Sequence, residues 1–147
     1  MNLKNVKDAY ETINVMVDKV QKDNEKIIEV KQAINNVAEC CDIKGSHKAQ
    51  HLITNYKNNM NNIVKLSTQM SREIIMSASE TVKTYQKFIE DLNDNHEYKL
   101  AAICLEMVEN KVTQEEICNK FEISRSTLNR KINELNSRFD DFSENVA

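Results

Sequence analysis

The chain has 147 residues, a formal net charge of -3 and a hydrophobic fraction of 40%, which suits one or two small folded domains rather than a disordered tail. It has no proline and a single glycine, Gly45, so it lacks the turn chemistry of a sandwich, a barrel or an alternating strand and helix fold, and the expected class is all-α. One glycine also leaves no Gly-rich phosphate loop or dinucleotide fingerprint, and three histidines offer few general bases. No enzymatic activity, cofactor or metal is expected.

No apolar run reaches the roughly 20 residues of a membrane span, and the opening MNLKNVKDAY lacks a basic-then-apolar signal segment. A cytoplasmic location without membrane contact is the expectation. Cys40, Cys41, Cys104 and Cys118 lie in helical patterns of a chain large enough for an apolar core, and so read as reduced thiols. Arginine occurs four times, three of them (Arg125, Arg130, Arg138) close to the end of the chain; that asymmetry points to the C-terminal segment as the functional one.

From Leu3 to Cys41, side chains at 3-4 spacing form a heptad stripe through Val6, Tyr10, Ile13, Val17, Val20, Ile27 and Ile34, with Asn24 and Lys31 interrupting it at equivalent positions. Such a stripe predicts one helix of about 39 residues, roughly 58 Å long, with the two polar positions setting register and partner number. Asp42 to Ser46 should end it, because Gly45 can take the left-handed terminus and Ser46 can cap the next helix. A second helical segment is predicted from about 47 to 92 through Leu52, Ile53, Tyr56, Met60, Ile63, Met70, Ile74, Ala78, Val82, Tyr85, Phe88 and Leu92, slipping near Ser77 to Thr84. The two should form an antiparallel hairpin over residues 1–92 whose open apolar edges are covered by a second copy. Val6, Tyr10, Ile13, Val17, Val20, Ile27 and Ile34 are therefore the expected homodimer interface; another protein on the hairpin is the further possible partner.

Cys40, Cys41, His47 and His51 would supply zinc-compatible ligands, with the two histidines one turn apart. Adjacent cysteines across a turn match no common ligand spacing, so ordinary turn and core roles are expected. Met60, Met70, Met76 and Met107 sit at or near core spacing and read as packing.

The polar run Asp91 to His96 is the predicted domain boundary. Beyond it three helices are expected, at about 97–109, 114–121 and 125–138, within a domain over 96–139, followed by an acidic, frayed tail over 140–147. Thr113 and Glu116 have capping-box spacing, Ile117 and Phe121 give the middle helix an apolar face, and Glu122-Ile123-Ser124 reads as a turn. Ser124 caps the last helix, whose Leu128, Ile132 and Leu135 share one side. This is helix-turn-helix spacing. The opposite side carries Ser126, Arg130, Asn133 and Ser137, flanked by Arg125 and Asn129. Arginine reaches guanine O6 and N7 and asparagine reaches adenine N6 and N7, so Arg125, Ser126, Asn129, Arg130 and Asn133 are the expected base contacts in the major groove of double-stranded DNA. Thr113, Gln114, Ser124, Thr127 and Lys131 are the expected phosphate contacts, four of them at helix amino termini. Residues 96–139 hold seven acidic and seven basic side chains, so the positive charge must be focused at the recognition helix and doubled by dimerisation.

Ser124-Arg125-Ser126-Thr127-Leu128-Asn129-Arg130-Lys131-Ile132-Asn133-Glu134-Leu135 resembles the recognition helix of the Fis-type helix-turn-helix, which commonly reads Ser-Arg-x-Thr-Leu-x-Arg-Lys-Leu-x-x-Leu. Two positions depart from that pattern: Glu122 stands in place of the usual turn glycine and Cys118 in place of the usual alanine. The resemblance implies DNA binding by a dimer, as in a bacterial or mobile-element transcriptional regulator. Over the first 95 residues, the turn at Lys44-Gly45-Ser46 with Ala49 and Tyr56 is similar to the helical hairpins of small Trp-x-Gly secretion substrates. There Ile43 stands at the tryptophan position, and four residues after Tyr85 stands Ile89 rather than an acid. That second resemblance implies the alternative function, a hairpin adaptor associated with secretion or protein interaction without DNA binding.

Overall fold

The computed structural model describes residues 1–40 and 47–146, and for 37–40 and 47–49 the backbone alone. Its elements are α1 (Leu3–Cys40), α2 (His47–Asp94), α3 (Tyr98–Val108), α4 (Gln114–Phe121) and α5 (Arg125–Val146). No strand occurs among the described residues, as expected of a sequence so poor in glycine and proline. No described helix is long and apolar enough to cross a membrane. The expected turn at 42–46, with Gly45 and Ser46, and the Cys41 thiol lie outside the described residues, as do the side chains of Cys40 and His47.

The chain divides into two compact units, one of Met1–Ile13 with Met76–Ala147 and one of Asn14–Ile75. This division differs from the expected boundary at 91–96. Leu92 is fully buried in the same core as α3, α4 and α5, and the backbone turns directly from α2 into α3 through Glu97 N–H to Leu92 C=O at 2.8 Å and His96 N–H to Asn93 C=O at 3.0 Å. A polar hexapeptide reads as a linker, but here its apolar member is an anchor and its amides close a tight turn.

In the first unit, Tyr85, Phe88 and Leu92 of α2, Ile103 and Cys104 of α3, Ile117 of α4 and Leu128, Leu135 and Phe139 of α5 form one buried cluster with Leu3 and Val6 of α1. Aromatic rings connect its layers: Tyr85 packs edge-on against Tyr10 and Phe139 at 6.4 Å each, and Phe88 meets Phe139 at 5.3 Å and Phe142 at 5.5 Å. Contacts of this kind add to the large apolar area that each ring removes from water. The same packing corrects the expectation of a frayed tail. α5 continues to Val146, because Phe142 rests on the core and Ser143 is buried. Burial also pushes the Cys104 thiol up to about 12, which keeps it an unreactive core residue.

In the second unit, α1 and α2 run antiparallel: Ile34 shares a groove with Ile53, and Ile27 one with Val64. On α2 the inward positions Ile53, Lys57, Met60, Val64, Ser67 and Ser71 keep 3-4 spacing, a pattern that Ala78, Val82 and Tyr85 extend without the expected slip in the first unit. Small polar serines take inward places that an apolar count skips. The consequence is a second stripe about a quarter-turn round the helix: Leu52, Tyr56, Ile63, Leu66, Met70 and Ile74 are 42–66% exposed.

Candidate nucleic-acid interface

The candidate interface is built by α3, α4 and α5. Thr113 begins α4 in extended conformation with a complete capping box: its hydroxyl accepts the Glu116 N–H at 3.3 Å, and the Glu116 carboxylate accepts the Thr113 N–H at 2.9 Å. Those hydrogen bonds hold the Glu116 carboxyl below its ordinary value. The hydroxyl and amide of Thr113 are thus both engaged by a carboxylate of their own helix. Gln114 is exposed beside them.

α4 ends at Glu122, whose φ of 52° and ψ of 46° put it in the left-handed region, and Ile123 N–H then closes on Cys118 C=O at 3.1 Å. The turn therefore has the backbone that a glycine would favour, held by a β-carbon-bearing acid. A left-handed non-glycine residue costs about 1 kcal/mol or more, partly offset because glycine gains entropy in the unfolded chain. Glu122→Gly should raise stability in urea unfolding by roughly 0.5 kcal/mol. A loss of stability would show that the Glu122 side chain supports the turn.

Ser124 caps α5: its hydroxyl accepts the Thr127 N–H at 3.2 Å and lies 2.9 Å from the Thr127 hydroxyl and 3.0 Å from that of Ser126. Arg130 reaches back to the Thr127 hydroxyl at 3.5 Å. Leu128, Leu135 and Phe139 anchor the inner side of α5 with no exposed surface, so Ser126, Asn129, Arg130, Asn133 and Ser137 face solvent together, with Arg125 beside them at the start of the helix. Lys131 and Thr127 are half-buried on a flank. The five expected base contacts thus share one exposed surface, and the hydroxyl cluster at the start of α5 holds Ser124 and Thr127 in a local network.

Of the three late arginines, Arg138 is engaged inside the domain. Its guanidinium forms a two-pronged pair with Glu97 ahead of α3, one arm at 2.9 Å, and lies 3.7 Å from Glu134. Neither Arg125 nor Arg130 forms an ion pair among the described residues, in contrast to Arg138. Sequence reading could not separate Arg138 from them, because its partner is far away in the chain.

The pairing with Arg138 holds the Glu97 carboxyl below its usual range, and Lys120 does the same to Glu106. A carboxyl depressed by folding stabilises the fold above its ordinary value near 4.5, and that contribution disappears as pH falls through the depressed value. The melting temperature should therefore stay level from neutral pH to about 5 and drop below it. Glu97→Gln should lower the neutral plateau and flatten the acid limb; an unchanged acid limb would remove Glu97 from this account.

Of the expected dimer residues, Val6 is fully buried in the core of its own chain and Tyr10 and Ile13 pack around Ala9, Ala78 and Val82. Val20, Ile27 and Ile34 face α2 of the same chain, whereas Val17 is 53% exposed. The α1 stripe is thus largely covered within one chain. Among the described residues no cluster of three or more His, Cys, Asp or Glu is arranged to hold a metal.

Three short helices around one core, with a capped α4, a tight turn and an α5 presenting a polar face, define a helix-turn-helix domain at the C-terminal end of the chain. The family model of the Mga helix-turn-helix domain matches residues 79–146, just under half of the chain. The match supports a helix-turn-helix domain at the C-terminal end without singling out the Fis type, and the matched range takes in the end of α2 and all of α5. No curated protein and no solved structure matches the chain.

Proposed function

We propose that this protein is a cytoplasmic, dimeric, sequence-specific DNA-binding transcriptional regulator without catalytic activity. The observation that carries the reading is the α5 surface, where Ser126, Asn129, Arg130 and Asn133 share one exposed side of a helix anchored by Leu128, Leu135 and Phe139. Side chains of these types read base edges in the major groove. The match to the Mga helix-turn-helix domain and the Ser-Arg-x-Thr-Leu-x-Arg-Lys pattern support it.

Dimerisation is supported by a different surface from the one the heptad stripe of α1 suggests. The exposed α2 stripe of Leu52, Tyr56, Ile63, Leu66, Met70 and Ile74 has the 3-4 spacing of a helix seam and exceeds the scattered apolar exposure of an ordinary surface. A second copy covers it in this reading. The same stripe favours the adaptor function if it takes another protein instead.

A gel-shift titration of the full chain against random genomic fragments, with sequencing of the retained pool, tests the proposal. An inverted repeat with half-sites roughly 34 Å apart, or a multiple of that, is the expected result. Light scattering should give twice the chain mass, falling to one in Leu66→Asp, because a carboxylate in an apolar seam lacks a partner. A chain that retains no fragment would leave the hairpin adaptor as the function.

A further inference from the structure

The first unit contains a cavity of about 480 Å³ between the start of α1, the end of α3, the start of α4 and the middle of α5. Its size falls among small-molecule sites, which run from about 300 to 1,000 Å³. Its partly exposed apolar floor is Met107, Val112 and Ile132, over the buried Leu3, Val108 and Ile117, and Lys4 and Lys7 belong to its polar lining. No acidic residue lines it, although the chain as a whole is acidic at net -3. Neither lysine has an ion pair among the described residues, whereas Lys22, Lys111 and Lys120 each meet a carboxylate.

We propose that this cavity is a binding site for an amphipathic anion, a carboxylate head on a short aliphatic tail. The head is held by the Lys4 and Lys7 ammonium groups and the tail covers the apolar floor. Two uncompensated cations above an apolar surface leave water on both a charge and a hydrocarbon patch, and a ligand of this class satisfies both at once. A bare inorganic anion would leave the floor wet, and a neutral hydrocarbon would leave the lysines unmatched.

Gln114 belongs to α4 and Ile132 to α5, so an occupant would touch both helices of the helix-turn-helix. The start of α1 is fastened to the same place by the Leu3 N–H donating to the Asn136 side-chain oxygen at 3.1 Å. An occupant thus touches α1, α3, α4 and α5. This goes beyond the DNA-binding reading, and it is tested without DNA, so the two stand or fall separately.

The test uses the full chain and octanoate, by titration calorimetry and ligand-observed NMR, with 1-octanol and inorganic phosphate as comparison probes. Saturable octanoate binding with a dissociation constant no weaker than about 1 mM is expected, with octanol and phosphate each about tenfold weaker or more. Lys4→Gln with Lys7→Gln should weaken octanoate about tenfold while leaving the helical content unchanged, and Lys4→Arg with Lys7→Arg should retain binding. Octanol binding as tightly as octanoate, phosphate binding as tightly as octanoate, or the glutamine pair binding octanoate unchanged would each overturn the proposal, as would no saturable binding.

Discussion

Phe139→Ala should cost the first unit about 3–5 kcal/mol, the range for emptying a fully enclosed aromatic site. Phe139 has no exposed surface and touches rings on α2, with Phe88 at 5.3 Å and Tyr85 at 6.4 Å. Its loss removes apolar burial and leaves a cavity between α2 and α5 that the flanking rings can close only in part. A loss of that size is a large fraction of the roughly 5–15 kcal/mol by which small domains are stable, so the urea midpoint should fall sharply. Asp141→Ala, two residues on and exposed, should shift stability by less than about 0.5 kcal/mol. The comparison isolates packing from any general effect of shortening side chains in this part of α5. Equal effects from the two substitutions would mean that the end of α5 is not held by the core.

On DNA, Arg130→Ala should cost roughly 1–3 kcal/mol at the preferred site and relax preference at one base position. Arg130 is exposed on the side of α5 opposite Leu128 and Leu135, and its only described contact is a weak 3.5 Å hydrogen bond to Thr127. Leaving that contact for guanine O6 and N7 costs little. Lys131 is half-buried on a flank and suits a phosphate, so Lys131→Ala should weaken all sequences about equally and reduce the salt slope by about one per protomer. Arg138→Ala serves as the control: its guanidinium is paired with Glu97, so it should lower stability without altering base preference. The measurement is a selected-site titration at several salt concentrations for each variant. Unchanged sequence preference in Arg130→Ala would remove the reading role from that residue.

The helix-turn-helix was legible in the sequence because its signals are local. Thr113 and Glu116 meet within one turn, Ser124 caps the amide of Thr127, and the alternation of Leu128 and Leu135 with Ser126, Arg130 and Asn133 follows from 100° per residue. These interactions join residues a few positions apart, so the chain itself specifies them. The all-α class followed in the same way from the near absence of glycine and proline. Periodicity says that a side is apolar, but not what covers it. Only the tertiary structure assigned Val6 to a core shared with α5, turned the α1 stripe toward α2, and left Leu52, Tyr56, Ile63 and Leu66 exposed instead. The partner of Arg138 is Glu97, the hydrogen-bond partner of Leu3 is Asn136, and Phe142 rests on Phe88. Each of those pairs is separated by dozens of residues, and no local pattern encodes which distant surface a side chain will meet. That choice is made when α1, α2 and α5 close around one core, where apolar area is removed from water only if the distant faces fit together.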